Sequence, residues 1–155
     1  MVKLTQSTKS IKQKDIKREW HLIDVNGGIL GRVVPKASVL LQGKHKVNYS
    51  QNLDPGDFVV IINASTVRVS GKKSQVKLYT TYSGYPGGLK TINFADLLKK
   101  NPDKLIRHAV TGMLPKNKLR DRRLARLFVF ADDQHPYSEK LKVPTSLKLR
   151  GASKS

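Results

Sequence analysis

The sequence predicts an α/β fold, a single domain with helices packed on a mainly parallel sheet, and three observations predict it. Phe58-Val59-Val60-Ile61-Ile62 is an apolar run without polar alternation, the pattern of a strand covered on both faces. Upstream, Leu30, Val33, Val34, Ala37, Leu40 and Leu41 recur at helical spacing, and Trp20–Val25 before them reads as another strand. Strand, helix, buried strand is a βαβ unit, whose crossover should be right-handed. The chain has 155 residues, 38% of them hydrophobic, which suits one domain with a core of its own.

The elements follow in order. The first strand ends in the turn Asn26-Gly27-Gly28, and Gly43 is placed to terminate the helix after it. Pro35 removes a helical hydrogen bond, so regular helix is expected to begin near Val33 or Val34. Asp54-Pro55-Gly56-Asp57 is a turn leading into the buried strand. Val67–Val69 and Val76–Thr81 flank Gly71-Lys72-Lys73 as an expected hairpin with a basic tip. Asn93–Lys100 reads as a short helix holding Phe94, Leu97 and Leu98. Asn101-Pro102-Asp103 then offers a cap, a proline at the first helical position and an acid in the first turn. Leu105, Ile106, Ala109, Val110 and Met113 are the predicted buried face of that helix, closed by Gly112 and Pro115. Leu127–Phe130 is the last strand.

Charge narrows the function. There are 30 Lys and Arg against 11 Asp and Glu, a formal charge of +19. Such self-repulsion makes most sense beside a polyanion. Nucleic acid leads, ahead of an anionic membrane surface and an acidic protein. Lys3, Lys9, Lys12, Lys14 and Lys17 mark residues 1–17 as a basic arm. After Glu139 come Lys140, Lys142, Lys148, Arg150 and Lys154 without an acid, so 138–155 is a basic tail and 18–137 the domain. Two readings of these ends stay open: solvated coil in the free protein, and segments that order as phosphates displace counterions.

Several classes fall away. With no cysteine, neither a disulfide scaffold nor a Cys-based zinc module is available. The five-residue run at Phe58–Ile62 is far short of the about 20 residues a membrane helix needs. The first twenty residues lack the apolar stretch of a secretory signal, so export is not expected. Gly27-Gly28-Ile29-Leu30-Gly31 lies between strand and helix, but its spacing is not that of a dinucleotide loop, and a tight turn is the better reading. Asp132, Asp133 and His135 before Pro136 read as a turn. His21, His45 and His108 have no nearby cysteine or paired carboxylate in the sequence. No enzyme, cofactor, metal or small-molecule substrate is expected.

Three stretches look built for RNA. Lys116, Lys118, Arg120, Arg122, Arg123 and Arg126 are relieved only by Asp121, and on a helix they would cover most of its circumference. Phosphate would turn that repulsion into attraction. Lys44, His45 and Lys46 follow a helix end, where flexible side chains can reach phosphates. Tyr79–Lys90 interleaves aromatics and glycines. Gly84, Gly87 and Gly88 permit close approach of an RNA backbone, Tyr85 offers a stacking face and Lys90 a charge. The Ser83–Lys90 loop is expected to be poorly ordered without RNA, the rival reading being a compact self-closed turn.

The chain resembles the universal large-subunit ribosomal protein L13 family, in its bacterial form. The resemblance rests on Trp20-His21-Leu22-Ile23-Asp24 with Leu30-Gly31-Arg32; Gly43-Lys44-His45-Lys46; Gly56–Ala64; Ser83–Lys90; and Val110-Thr111-Gly112-Met113-Leu114-Pro115-Lys116, in family order across about residues 18–137. After Leu119 this chain carries Arg120-Asp121-Arg122-Arg123 where the family usually continues Gly-Arg. The resemblance implies a three-layer α/β/α fold around a four-stranded sheet and no catalysis. It also implies binding to large-subunit rRNA beside neighbouring ribosomal proteins, during assembly and in the finished subunit. Cytoplasmic ribosomes are the expected location, with organellar ribosomes the alternative.

Overall fold

The computed structural model describes residues 12–141. The arm before Lys12 and the tail after Leu141, with most of the terminal cations, lie outside the described residues.

Strand β1 (Trp20–Asp24) leads through the Asn26–Gly28 turn, with Gly27 at φ +63°, into helix α1 (Leu30–Gln42). The helix starts earlier than Pro35 suggests. Pro35 and Gly31 both lie on the exposed side, so the carbonyl that loses its partner faces water. Gly43 ends α1 in the left-handed region, its N–H bonding to the Leu40 carbonyl at 3.0 Å. The chain returns through Asp54–Asp57 to β2 (Phe58–Ile62). Strand β2 runs parallel to β1, Trp20 beside Phe58, and parallel on its other edge to β5 (Leu127–Val129), Val59 beside Leu127. The expected βαβ unit is present, and β2 is the central strand with Val59–Ile62 buried.

Ile23, Val59, Ile61 and Leu127 point to one side and join a single core with Val33, Ala37 and Leu41 of α1 and Leu105, Ile106 and Val110 of α4 (Pro102–Met113). On the opposite side Trp20 stacks on Phe58 at 4.4 Å between ring centroids, and Tyr137 stacks on Trp20 at 5.1 Å. Pro102 takes the first position of α4 as expected, yet Asn101 makes no side-chain cap bond. Its extended backbone has φ −148°.

Three expectations need correction. The parallel sheet has three strands among the described residues, not four, because Arg68 makes only an isolated parallel bridge with Ile29 instead of a ladder. The hairpin also sits elsewhere. Residues around Val67 are held by that bridge, and Lys73–Val76 winds into a single helical turn, α2. Strand β3 (Leu78–Tyr82) pairs antiparallel with β4 (Leu89–Asn93), which leads directly into α3 (Phe94–Lys100). Leu89–Asn93 is exposed throughout and carries no periodic signal; cross-strand pairing alone makes it a strand. Met113, expected inside, is half exposed: Val110 and Leu114 fill the core at this end of α4, and Met113 lines the surface grooves.

Candidate nucleic-acid interface

The turn before β2 carries two carboxylates, and each gathers one of the cationic segments. Asp57 is fully buried. Its Oδ1 accepts the Glu19 N–H at 2.9 Å and the Lys46 ammonium; its Oδ2 is hydrogen-bonded to His21 Nε2 at 3.0 Å and lies 3.0 Å from His45 Nε2. Lys46 also donates to the carbonyls of Lys17, at 2.7 Å, and Pro55, at 3.1 Å. Burial alone would raise the Asp57 carboxyl. The bonds from His21, Lys46 and the Glu19 amide, with the Lys46 charge, outweigh it and lower it from 3.8 to about 2. Asp57 is therefore a permanent anion tying the approach to β1 to the loop after α1.

Asp54 does the same for the second segment. Arg126 binds it bidentately, with both N···O distances at 2.6 Å, and Arg123 Nε lies 3.4 Å from Oδ1. Arg123 is 1% exposed and Arg126 6%. Helix α5 (Arg120–Leu124) is a short turn of five residues, not the long cationic helix the density suggested.

This changes the reading of the predicted site. Arg123, Arg126 and Lys46 are not free to reach outward, and His45 is bonded inward although a third of its side chain is exposed. Each pairs with a buried acid that must otherwise stay unsatisfied. Lys44, Lys116, Lys118 and Arg122 stay exposed, and Arg120 is half-buried, 3.9 Å from Asp121. An open cleft of about 460 Å³ brings the two segments together, lined by Gln42, Lys44, Tyr49, Gln51, Met113, Pro115, Asn117 and Arg123. Half-exposed Met113 borders this cleft and the groove beside Lys73 and Lys77. The two grooves adjoin.

Gly84, Tyr85, Gly87, Gly88 and Lys90 stand apart, at the tip of the β3–β4 ribbon. The tip is closed by its own backbone: Ser83 N–H bonds to Gly88 O at 3.3 Å and Gly88 N–H to Tyr85 O at 2.9 Å. Gly84 and Gly87 have φ +89° and +71°, and a Cβ on Gly88 would lie 2.0 Å from Ser83 Oγ. The glycines thus have a local reason in the turn itself.

Sequence reasoning missed Asp54 and Asp57, and with them the meeting of His21 and His45 on one carboxylate. The available signal was two acids bracketing Pro-Gly in a chain with few acids. His21, His45 and Asp57 bring three ligand-type atoms within 4.8 Å of one another. Hydrogen bonding accounts for the arrangement, and the Lys46 ammonium already supplies the compensating charge. No helix among the described residues is long and apolar enough to cross a membrane.

The sequence model of the family described as ribosomal protein L13 matches residues 18–136. The chain is 46% identical over 137 residues to large ribosomal subunit protein uL13 of Streptomyces griseus, covering 88% of this chain and 93% of that protein. The protein of the same name from Clostridioides difficile is 46% identical over 127 residues, 82% of this chain and 89% of its own. That of Salinispora arenicola is 45% identical over 141 residues, 91% and 96%. The family match over residues 18–136, with relatives 45–46% identical over most of both chains, leads to one conclusion: the chain belongs to the ribosomal protein L13 family.

Proposed function

We propose that this chain is a structural constituent of the large ribosomal subunit, not an enzyme, which binds large-subunit rRNA and supports subunit assembly and translation. The observation that carries this is the family match over 18–136, at 44–47% identity to bacterial relatives named as large-subunit proteins. The geometry adds a mechanism. Lys44 lines the cleft, exposed Lys116 and Lys118 neighbour its lining residues Pro115 and Asn117 in the chain, and exposed Arg122 lines a second cleft with Arg18; these cations can hold phosphates of more than one RNA segment. Arg120 lies beside these cations, and Gly84, Tyr85, Gly87, Gly88 and Lys90 on the β3–β4 ribbon form a separate contact for the RNA. His45, Lys46, Arg123 and Arg126 act from beneath it by fixing the loops that carry the exposed cations. Shape of the folded RNA, more than base edges, would supply specificity. We place residues 18–137 as the binding domain and assign residues 1–17 and 138–155, on their charge, to further RNA contacts. Neighbouring large-subunit proteins are the other partners, in cytoplasmic ribosomes or, alternatively, those of an organelle.

Co-sedimentation with large ribosomal subunits in high salt tests this. Retention in the subunit peak is the expected result. Complete release, with RNA affinity no greater than that of an unrelated protein of equal charge, would refute it.

A further inference from the structure

The β3–β4 ribbon carries an exposed face that the fold does not use. Strand alternation and the register put Leu78, Thr80 and Tyr82 on one face with their partners Asn93, Thr91 and Leu89. All six are exposed, including Leu78 at 56%, Tyr82 at 64% and Leu89 at 61%, with Tyr85 at the tip at 75%. By contrast Tyr79, on the other face, packs against the core and meets His108 edge-on at 5.4 Å between centroids. Between Asp57 and Asp96 the chain has no acidic residue, while Lys72, Lys73, Lys77 and Lys90 lie on or beside the ribbon.

We infer that this face is a stacking platform for unpaired nucleotides of RNA, a refinement that rests on the rRNA-binding reading above. Exposed aromatic rings on an antiparallel ribbon can take unpaired bases face to face. Tyr82 is supported across the ladder by Leu89, directly opposite it. Thr80 and Thr91 offer hydroxyls at mid-ribbon to ribose 2′-OH groups or phosphates. Lys77 and Lys90 belong to the opposite face, Lys77 5.2 Å from the centre of the Tyr79 ring, and add positive charge to the ribbon as a whole. A protein partner would equally cover exposed leucines. Yet the segment that carries this patch has Lys72, Lys73, Lys77 and Lys90 and no acid between Asp57 and Asp96, so its charge is complementary to a polyanion. Charge complementarity therefore favours RNA.

The test uses the full chain, with Tyr82→Leu and Tyr85→Leu variants that keep apolar bulk and lose the ring. Affinity is measured at fixed salt for a single-stranded uridylate oligomer and for an RNA duplex with the same number of phosphates. Each variant should bind the single strand about 5- to 100-fold more weakly, with duplex affinity and melting temperature unchanged. Unchanged selectivity would overturn the platform while leaving general RNA binding intact. Loss of both affinities in the wild-type chain would instead sink the rRNA-binding reading. Variants that bind both RNAs normally but fail to enter large subunits would assign the face to a protein and likewise overturn the inference.

Discussion

Asp57 accepts hydrogen bonds from three donors, with His45 beside it, in a place water does not reach, and its stability contribution has a definite pH window. Its folded pKa, about 2, lies below the unfolded value of 3.8. The contribution is therefore complete above about pH 4 and lost as pH falls through about 2, a change on the order of 2 kcal/mol. Unfolding free energies of the wild type and Asp57→Asn from urea titration should differ by about 3 kcal/mol or more at neutral pH, since the variant strands Lys46. That gap should narrow steadily between pH 4 and 2; an equal gap at pH 2.5 and pH 6 would show the carboxylate is not the hub. The adjacent Gly56 is constrained by space, because a Cβ there would lie 1.8 Å from the Leu41 carbonyl oxygen. Gly56→Ala should cost about 3 kcal/mol and lower the melting temperature by roughly 10 °C, as read by calorimetry. A melting temperature within 2 °C of wild type would mean that Gly56 does not sit against the end of α1.

Among the elements, β2 carries the domain. It is flanked on both edges, and Val60 is fully buried on the side opposite the α1–α4 core. An aspartate there has no cationic partner, so Val60→Asp is expected to abolish folding. A soluble variant with native circular dichroism and an unchanged melting curve would contradict this placement. This strand was legible from its unbroken apolar run, as α1 was from its spacing. The β4 strand was not, because nothing in Leu89–Asn93 distinguishes a strand from a loop until β3 lies beside it. The long cationic helix failed for a related reason. Periodicity treats Arg123 as one more charge, and only the fold brings it within reach of Asp54, 69 residues earlier.

At the scale of the whole molecule, the +19 charge is divided between cations locked on buried acids and cations left on the surface. Affinity for RNA should follow the second set. Replacing Lys116, Lys118 and Arg122 together by Ala should lower the salt slope of rRNA binding by about 2–3 units, with similar losses for RNAs of varied sequence and no change in melting temperature. Arg123→Ala alone should instead lower the melting temperature and leave the slope unchanged. A slope change for Arg123 equal to that for Arg122 would show its guanidinium reaching phosphate after all.

The sequence by itself determined the polyanion-binding class, the α/β core with its central strand, and the family. These follow from composition, from short-range periodicity and from motifs in order along the chain, all of which are local. Tertiary structure alone decided which cations bind outward. Asp54 lies far along the chain from Arg123 and Arg126, as Asp57 does from His21, and a buried acid captures whichever base the fold delivers to it. Adjacent residues such as Arg122 and Arg123 thereby part, one to solvent and one to the interior, because removing a charge from water is tolerable only where a partner waits.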